Sequence, residues 1–209
     1  MVSEVSENVA PGKVYIASMN CRGKWATKPH GVLSLNVTSA QPKKSQERID
    51  LSPMHLKGYK GFINFEAYWQ SGKVWDTIPR EESILWWKTQ TKAKRRYPKG
   101  RKVLCSIFED ISEKELDYVS SRKCVYVPEY AAYISNTDSL KKWKNIVNGG
   151  QDVAVFDFDG PRTPSGSVDI KEITLDLLKD KIHDTRVPFG HGYVVSALLA
   201  GISIESFAQ

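Results

Sequence analysis

Residues 153–160 read Val153-Ala154-Val155-Phe156-Asp157-Phe158-Asp159-Gly160. The apolar, β-branched and aromatic run over 153–158 predicts a buried strand, the clearest one in the sequence. After it, the hydrophobic spacing predicts a helix over 171–182 and a final apolar helix over 191–200, which Gly201 ends. A buried strand followed by such helices indicates a mixed α+β fold.

The part of the chain before this strand adds a tail and two further strands. Residues 1–12 are polar and end in Pro-Gly, so we expect a flexible tail. Alternating β-prone residues predict strands over 13–19 and 32–37, and the charged stretch 40–50 predicts a surface loop. Because no repeat or long linker follows, residues 13–209 are expected to form a single, mainly helical domain with a small sheet.

The middle of the chain is predicted to be helical. Asn64 is a suitable N-cap for a helix that runs to about Thr77 and is stopped by Pro79. A second helix is expected from Arg80 to just before Pro98. The remaining predictions are a strand over 103–107, a helix that starts at a Ser112–Glu115 capping box, a strand or helix end over 123–127, and a helix over 138–147.

Composition excludes several classes of protein. The 209 residues are 41% hydrophobic and 26% charged, which is neither a disordered nor a collagen-like composition. No stretch approaches the roughly 18 uninterrupted apolar residues of a membrane span, so no membrane partner is expected. Cys21, Cys105 and Cys124 have unrelated spacings, which indicates neither a disulfide framework nor a zinc knuckle. A reducing cytoplasm is the expected location.

The positive charge of the chain is concentrated in one segment. Net charge is +6, and eight basic residues with no acidic one lie between Ser83 and Phe108. Trp86 and Trp87 precede them, and aromatic residues beside basic ones suit stacking on bases and contact with phosphates. A core helix with a solvated basic face explains the same pattern equally well. The nucleic-acid reading predicts contacts to DNA or RNA from Lys92, Lys94, Arg95, Arg96, Lys99 and Arg101.

The predicted helix after Asn64 carries an unusual group of polar residues. Glu66, Gln70 and Lys73 are spaced i, i+4 and i+7, which places all three on one helix face. Phe65 and Trp69 form an apolar stripe beside them. At the rim of a pocket, desolvation would lower the pKa of the lysine and raise that of the glutamate. A surface Glu–Lys ion pair next to a core helix is the structural alternative.

Another candidate site precedes the last helix. Val187-Pro188-Phe189-Gly190-His191-Gly192 leads directly into the apolar helix over 191–200. Glycines at this position leave free N–H groups at the positive end of the helix, which suits a pyrophosphate. A plain helix start without a ligand explains the same residues. His191 has no second His or Cys at ligand spacing, so no metal site is predicted.

The sequence resembles the NADAR family of N-glycosidases, whose members share a Glu-x-x-x-Gln-x-x-Lys helix, here Glu66, Gln70 and Lys73. The resemblance extends in order over about 15–203, but only this helix is close. The family's Asp-x-x-Trp-Gly-x-Gly segment is represented only by 157–161, and the Asn of its last motif is Tyr193 or His191 here. The other corresponding segments are Gly31-Val32-Leu33-Ser34-Leu35-Asn36, Gly58-Tyr59-Lys60-Gly61-Phe62 and Gly190-His191-Gly192-Tyr193-Val194-Val195-Ser196-Ala197-Leu198-Leu199.

The resemblance implies a NADAR-like fold and cleavage of a ribosyl–base bond. The implied substrate is an ADP-ribosylated nucleobase, free or within DNA or RNA, or a ribosylated pyrimidine small molecule, with no cofactor. Such cleavage needs an acid for the leaving base and a nucleophile for the developing positive charge. Glu66 would move the proton and Lys73 would form a Schiff base with the opened ribose. The other implied site residues are Asp157 and Asp159 as acids in the same pocket, and Asn36, Trp69, Gln70, Gly190, His191 and Gly192 as substrate-binding residues.

Two other functions fit parts of the sequence. A non-catalytic nucleic-acid-binding protein would account for the basic segment, although it gives no reason to place Glu66 beside Lys73. Asp157 and Asp159 also resemble the first motif of haloacid-dehalogenase phosphatases, which would require Mg²⁺. The chain after Gly160 is short for the later motifs of that fold. A plain Asp-Gly-Pro surface turn is the structural alternative at this position.

Overall fold

The computed structural model describes residues 9–20 and 22–209, and only the backbone of Ser112 and Glu113. The predicted tail over residues 1–8 and the thiol of Cys21 lie outside the described residues. Residues 9–12 do not form the predicted free tail. Gly12 N donates a hydrogen bond to Val147 O at 2.8 Å, so the chain is already attached to the domain before the first strand.

The described chain contains both helices and two small sheets, and this confirms the predicted mixed α+β fold. The strands are β1 (Val14–Ser18), β2 (Leu33–Asn36), β3 (Lys73–Trp75), β4 (Val103–Phe108), β5 (Ser112–Leu116), β6 (Val153–Asp157) and β7 (Ile170–Glu172). The helices are α1 (Gln46–Leu51), α2 (Phe65–Ser71), α3 (Arg80–Lys88), α4 (Tyr118–Ser121), α5 (Val127–Ile134), α6 (Asp138–Asn148), α7 (Leu175–His183), α8 (His191–Leu199) and α9 (Glu205–Ala208). A π-helical turn over Arg122–Tyr126 joins α4 to α5.

The main sheet has the strand order β2-β6-β1-β7. Strands β1 and β2 both run parallel to β6, and β7 pairs antiparallel with β1. All five residues of β6 are buried, as expected for a strand with parallel neighbours on both sides. The predicted strands over 13–19, 32–37 and 153–158 are therefore confirmed. Because these three strands are parallel, their carboxyl ends share one edge of the sheet.

The two faces of the main sheet are covered differently. Helix α8 packs on β1 and β6, and α1 packs on β2, over the principal hydrophobic core. The opposite face has a small apolar cluster that consists of Ala17, Ala26, Val32, Ala154 and Phe156. Partly buried residues from loops and strand β7 complete this second cluster. No helix in the described part of the chain is long and apolar enough to cross a bilayer.

A second, antiparallel sheet has the order β3-β4-β5 and corrects one prediction. The predicted capping box at Ser112 and Glu115 does not start a helix, because this stretch is strand β5, paired with β4. Main-chain pairing to a neighbouring strand outweighs a local cap. Helix α4 begins later, where the side chain of Asp117 accepts a hydrogen bond from Ser120 N at 2.7 Å.

The predicted surface loop over 40–50 is partly wrong, since α1 begins at Gln46. Ser45 caps this helix, and Leu51 at its end is fully buried. Asp50 is also buried, and its carboxylate accepts a hydrogen bond from Ser139 N at 3.0 Å in the first turn of α6. A helix of six residues has little stability of its own, so these tertiary contacts decide its formation.

Several element boundaries differ from the predictions for identifiable reasons. Helix α3 ends at Lys88, because Gln90 and Thr89 donate side-chain hydrogen bonds to Trp86 O and close the helix end. The helix predicted from 171 begins at Leu175, after its N-cap Thr174. The residues before it form strand β7, which was not predicted. Residues 123–127 are helical and not a strand, but they do not end the helical region, because the π-helical turn continues into α5. Helices α5 and α9 were not predicted.

Candidate active site

Two adjoining cavities lie beside the carboxyl ends of β6 and β2. The first, of about 580 Å³, is lined by Lys73 and is called the Lys73 cavity. The second, of about 550 Å³, is lined by Asp157 and is called the Asp157 cavity. Their shared wall consists of Glu66, Arg95, Arg96, Tyr126 and Asp159. The volumes are in the range of small-molecule binding sites.

Helix α2 places Glu66 and Gln70 in this wall. It begins where predicted, because the side chain of Asn64 accepts a hydrogen bond from Ala67 N at 2.8 Å and donates one to Met54 O at 3.1 Å. These two bonds attach the helix start to the preceding loop. The side chain of Gln70 donates to Glu66 Oε1 at 2.7 Å. Through this contact Gln70 orients Glu66.

Lys73 reaches the same cavity by a route that differs from the prediction. Helix α2 ends at Ser71, so Lys73 does not share a helix face with Glu66. It is the first residue of β3 and pairs with Ser106 of β4. The turn is possible because residue 72 is glycine: a Cβ there would lie 2.2 Å from the Phe108 ring. The expectation of a continuous helix to Thr77 was wrong, although Glu66, Gln70 and Lys73 do line one cavity.

Burial displaces the pKa values of Glu66 and Lys73 in opposite directions. Loss of solvent raises the pKa of Glu66, an effect that the Gln70 hydrogen bond and the Lys73 charge partly offset. Loss of solvent lowers the pKa of Lys73; the Glu66 charge opposes this change and Arg96 adds to it. The site therefore favours a neutral carboxylic acid and a neutral amine more than water does.

Trp69 forms part of the apolar floor of the Lys73 cavity. Its ring stacks on Phe108, with centroids 5.6 Å apart and planes 11° apart. It also makes an edge contact with Tyr126, with centroids 5.0 Å apart. Trp75 lines the same cavity. These rings form the apolar part of the wall that holds Lys73.

Asp157 occupies the place where a pyrophosphate was predicted. Its Oδ2 accepts a hydrogen bond from Gly192 N at 2.9 Å, in the first turn of α8. A Cβ on Gly190 would lie 2.5 Å from this oxygen, and a Cβ on Gly192 would lie 3.0 Å from it. The glycines therefore admit the carboxylate of Asp157 to the helix N-terminus. Gly190 and Gly192 are not open to an external anion, and the substrate-binding role predicted for them is corrected.

His191 links the last helix to the end of β2. Its Nδ1 lies 3.3 Å from Asp157 Oδ2, and its Nε2 lies 2.9 Å from Val37 O. The ring lines the Asp157 cavity and makes an edge contact with Tyr130. Because both ring nitrogens face oxygen atoms of the protein, His191 positions the cavity wall.

Asp159 is the accessible carboxylate of the strand end. It lines both cavities, whereas Asp157 is almost fully buried. Desolvation by the cavity walls and the charge of Asp157 raise the pKa of Asp159 to about 6. Its side chain is nevertheless exposed, so solvent screens part of the repulsion. Of the two aspartates, Asp159 is better placed to exchange a proton with a ligand.

Asn36 does not line either cavity, in contrast to its predicted substrate-binding role. Its side-chain oxygen accepts hydrogen bonds from Thr38 N at 2.9 Å and Thr38 Oγ1 at 2.8 Å. The amide oxygen is thereby used within the turn that follows β2. Thr38 and Ser39 line the Asp157 cavity instead. The residues that line the cavity therefore lie two or three positions after the predicted Asn36.

The basic segment divides into residues that reach the cavities and residues that do not. Arg95, Arg96 and Arg101 line the Lys73 cavity. Lys99 pairs with Glu82 at 3.1 Å, and Lys92 and Lys94 are exposed away from the cavity walls. Trp87 is fully buried, and half-buried Trp86 packs on it and on Tyr97. The core-helix interpretation of the Trp86-Trp87 pair is therefore the right one.

The cavity residues that sequence reasoning missed include Tyr126, Arg122 and Arg162. Arg122 is 1% exposed and lines the Lys73 cavity. Its guanidinium donates to Ile182 O, Asp184 O and Val187 O at 2.7–3.2 Å. It lies in the π-helical turn, an irregularity often found at functional sites. No sequence pattern marks this turn, since its geometry arises from the junction of α4 and α5.

Comparisons of the chain with protein-family models, with curated proteins and with solved structures gave no match. The resemblance to the NADAR family stays a prediction from the motifs quoted above.

Proposed function

We propose that this protein is an N-glycosidase that hydrolyses a ribosyl–nucleobase bond, with ADP-ribose on a modified base as the favoured substrate. The observation that carries the proposal is the placement of Glu66 and Lys73 in one cavity, with pKa values displaced in opposite directions by burial. Such opposed displacements are typical of acid and nucleophile pairs. A NADAR-like fold belongs to the same proposal.

The chemistry assigns one step to each residue. The free amine of Lys73 attacks the anomeric carbon, and the bond from this carbon to the base nitrogen breaks. The departing base keeps the bonding electrons and takes a proton from Glu66, whose raised pKa favours the acid form. Loss of a proton from the Lys73 nitrogen to Glu66 and protonation of the ring oxygen then open the ribose to an imine. Water hydrolyses the imine, which releases the sugar and restores the amine.

The charge of the cavity wall supports an anionic substrate. Besides Lys73, the Lys73 cavity is lined by Arg95, Arg96, Arg101 and Arg122, against the acids Glu66 and Asp159. A concave site with excess positive charge attracts phosphate groups. These arginines replace the α8 N-terminus as the proposed pyrophosphate contact, because Asp157 fills that position.

The test uses an oligonucleotide that carries ADP-ribose on one base. Borohydride added during turnover should reduce the imine and leave ADP-ribose covalently attached to Lys73, as located by peptide mass spectrometry. Lys73→Ala and Lys73→Arg should both abolish trapping, because neither offers an amine that can condense. Glu66→Gln should slow turnover by about 10²–10⁴-fold. Lys141→Ala serves as the control, because Lys141 is exposed on α6 and lines neither cavity.

Three results would change the assignment. A Lys73→Arg protein with near-normal turnover would restrict the lysine to a supply of charge and transfer the base role to Asp157 or Asp159. Binding of the oligonucleotide without release of ADP-ribose by the wild-type protein would favour the non-catalytic nucleic-acid-binding alternative. Phosphate release that depends on Mg²⁺ and on Asp157 would support the phosphatase alternative instead.

A further inference from the structure

The turn after β1 presents an exposed aromatic ring. Trp25 is 42% exposed, and its ring meets Phe156 of β6 with centroids 4.2 Å apart and planes at 63°. Arg22 and Lys24 on the same turn are exposed. Within residues 9–20 and 22–209, neither of these two cations forms an ion pair. The indole therefore packs on the second apolar cluster with one part and leaves the rest exposed, close in sequence to the two cations.

Residues 22–26 of this turn are attached to the end of β1 by hydrogen bonds. The side-chain oxygen of Asn20 accepts from Arg22 N and Lys24 N, each at 2.9 Å. Ala26 N donates to Ser18 O at 3.1 Å, which returns the chain to the end of β1. A turn that is ordered before binding loses little conformational entropy when a ligand stacks on it.

The charge around the turn is entirely positive over a long stretch of sequence. Residues 8–46 contain no acidic residue. Their six basic residues are Lys13, Arg22, Lys24, Lys28, Lys43 and Lys44. Lys13 pairs with Glu172, but the charges on the turns after β1 and β2 are available to a polyanion. Because Asp157 and Asp159 lie at the same edge of the sheet, these cations, and not the surface as a whole, complement a chain of phosphates.

The topology places these charges on both sides of the Asp157 cavity. Strand β6 lies between β2 and β1, and all three strands end at the same edge of the sheet. Lys43 and Lys44 follow β2, whereas Trp25 follows β1. Arg95 donates to Ser39 Oγ at 3.3 Å, which joins the basic segment to the β2 side. A nucleic-acid strand that crosses from the β1 side to the β2 side would pass the carboxyl end of β6.

We propose that the turn over residues 22–26 is a contact site for single-stranded nucleic acid, with one base stacked on Trp25 and the adjacent phosphates against Arg22 and Lys24. This inference deepens the proposed function and rests on it for the path of the strand past the Asp157 cavity. An acidic protein would be attracted by the same charges, but the flat face of a base is the natural partner of an exposed indole. Stacking is independent of base identity, so the contact is not sequence-specific.

The experiment measures the binding of a fluorescent oligothymidine of about 12 nucleotides, a length that spans one site. This strand carries no ADP-ribose, so binding does not depend on glycosidase activity. Trp25→Ala should weaken binding by about 5- to 100-fold and leave the salt dependence unchanged. Arg22→Ala with Lys24→Ala should reduce the slope of log K against log salt by about 1.4, since each phosphate contact on a single strand contributes about 0.7. Trp25→Phe keeps a stacking ring and should retain most of the affinity.

The matched control removes two other exposed lysines, Lys141 on α6 and Lys179 on α7. Lys141→Ala with Lys179→Ala makes the same change in net charge and should leave the slope unchanged. Wild-type affinity in Trp25→Ala, an equal loss of slope in the control, or no binding by the wild-type protein would overturn the inference. The last result would indicate an acidic protein partner instead. If Trp25→Ala loses the oligothymidine but the wild-type protein releases no ADP-ribose, the proposed function fails and this inference stands.

Discussion

The carboxylate of Asp157 caps helix α8, where its Oδ2 accepts a hydrogen bond from Gly192 N at 2.9 Å. The negative charge is buried at the positive end of a helix, which stabilises both. The contact joins the end of β6 to α8 and fixes a wall of the Asp157 cavity. It depends on the absence of a Cβ at residues 190 and 192.

We expect Gly192→Ala to destabilise the fold by about 1–3 kcal/mol, because overpacking of a filled site costs this much. The new Cβ would lie 2.6 Å from the Cβ of Asp157. Urea denaturation measures the effect. Gly149→Ala is the control, since its nearest neighbour is Asn145 O at 3.3 Å. An equal loss in both variants would mean that the approach of Asp157 is not the cause.

Replacement of Asp157 should alter the titration of Asp159. In Asp157→Asn, loss of the neighbouring charge should lower the pKa of Asp159 from about 6 towards its ordinary value. Carbon-13 NMR of labelled aspartate carboxyl groups follows this titration. Arg162→Ala should move the pKa in the opposite direction, because Arg162 favours the charged form. An unchanged pKa in both variants would show that these charges do not interact with Asp159.

The carboxyl group of Asp159 also makes the stability of the fold depend on pH. Its pKa is raised in the folded state. Its favourable contribution to the free energy of unfolding is therefore present below about pH 4 and is lost as the pH rises through about 6. We expect Asp159→Asn to gain stability relative to the wild-type protein over this interval. Thermal unfolding at a series of pH values tests the expectation. A difference between the two proteins that stays constant with pH would contradict it.

Lys73→Met should stabilise the protein at neutral pH, although it removes the proposed nucleophile. The folded state lowers the pKa of Lys73 because burial disfavours the ammonium form. The free-energy cost of burying the Lys73 ammonium is therefore largest below the folded-state pKa. It disappears as the pH rises towards the pKa of a lysine in the unfolded chain, about 10.4. The unfolding free energies of the wild-type protein and Lys73→Met should differ at neutral pH and converge near pH 10. Lys141→Met, at an exposed position, should show no such trend.

Arg122→Met should destabilise the fold by on the order of 2–4 kcal/mol, because three backbone carbonyls in the 182–187 segment lose a charged donor. Methionine retains the aliphatic part of the side chain, so the change tests the hydrogen bonds more than the packing. Chemical denaturation gives the magnitude. Amide hydrogen exchange should show faster opening of residues 182–187, and unchanged exchange there would contradict the assignment.

Three of the four strands of the main sheet could be predicted from the sequence, because they are short apolar runs whose pattern is local. The run over 153–158 marks β6, and the alternation before it marks β1 and β2. The N-cap Asn64 likewise acts within three residues of its partner Ala67. Strand β5 shows the limit of such reasoning, because a plausible cap at Ser112 gave way to pairing with β4, which no local pattern encodes.

The sequence by itself determined which residue types are available for chemistry: a Glu, a Gln and a Lys beside aromatic rings, and two aspartates after a buried strand. Tertiary structure decided how they meet. Glu66 and Lys73 share a cavity because the chain turns at Gly72 against Phe108, not because a helix continues. Asp157, and not a ligand, occupies the N-terminus of α8. The end of β6 and the start of α8 are distant in sequence, and they approach each other there with no side chain between them. Helical spacing is a property of neighbours along the chain, whereas burial and charge at a site depend on segments that only folding brings together.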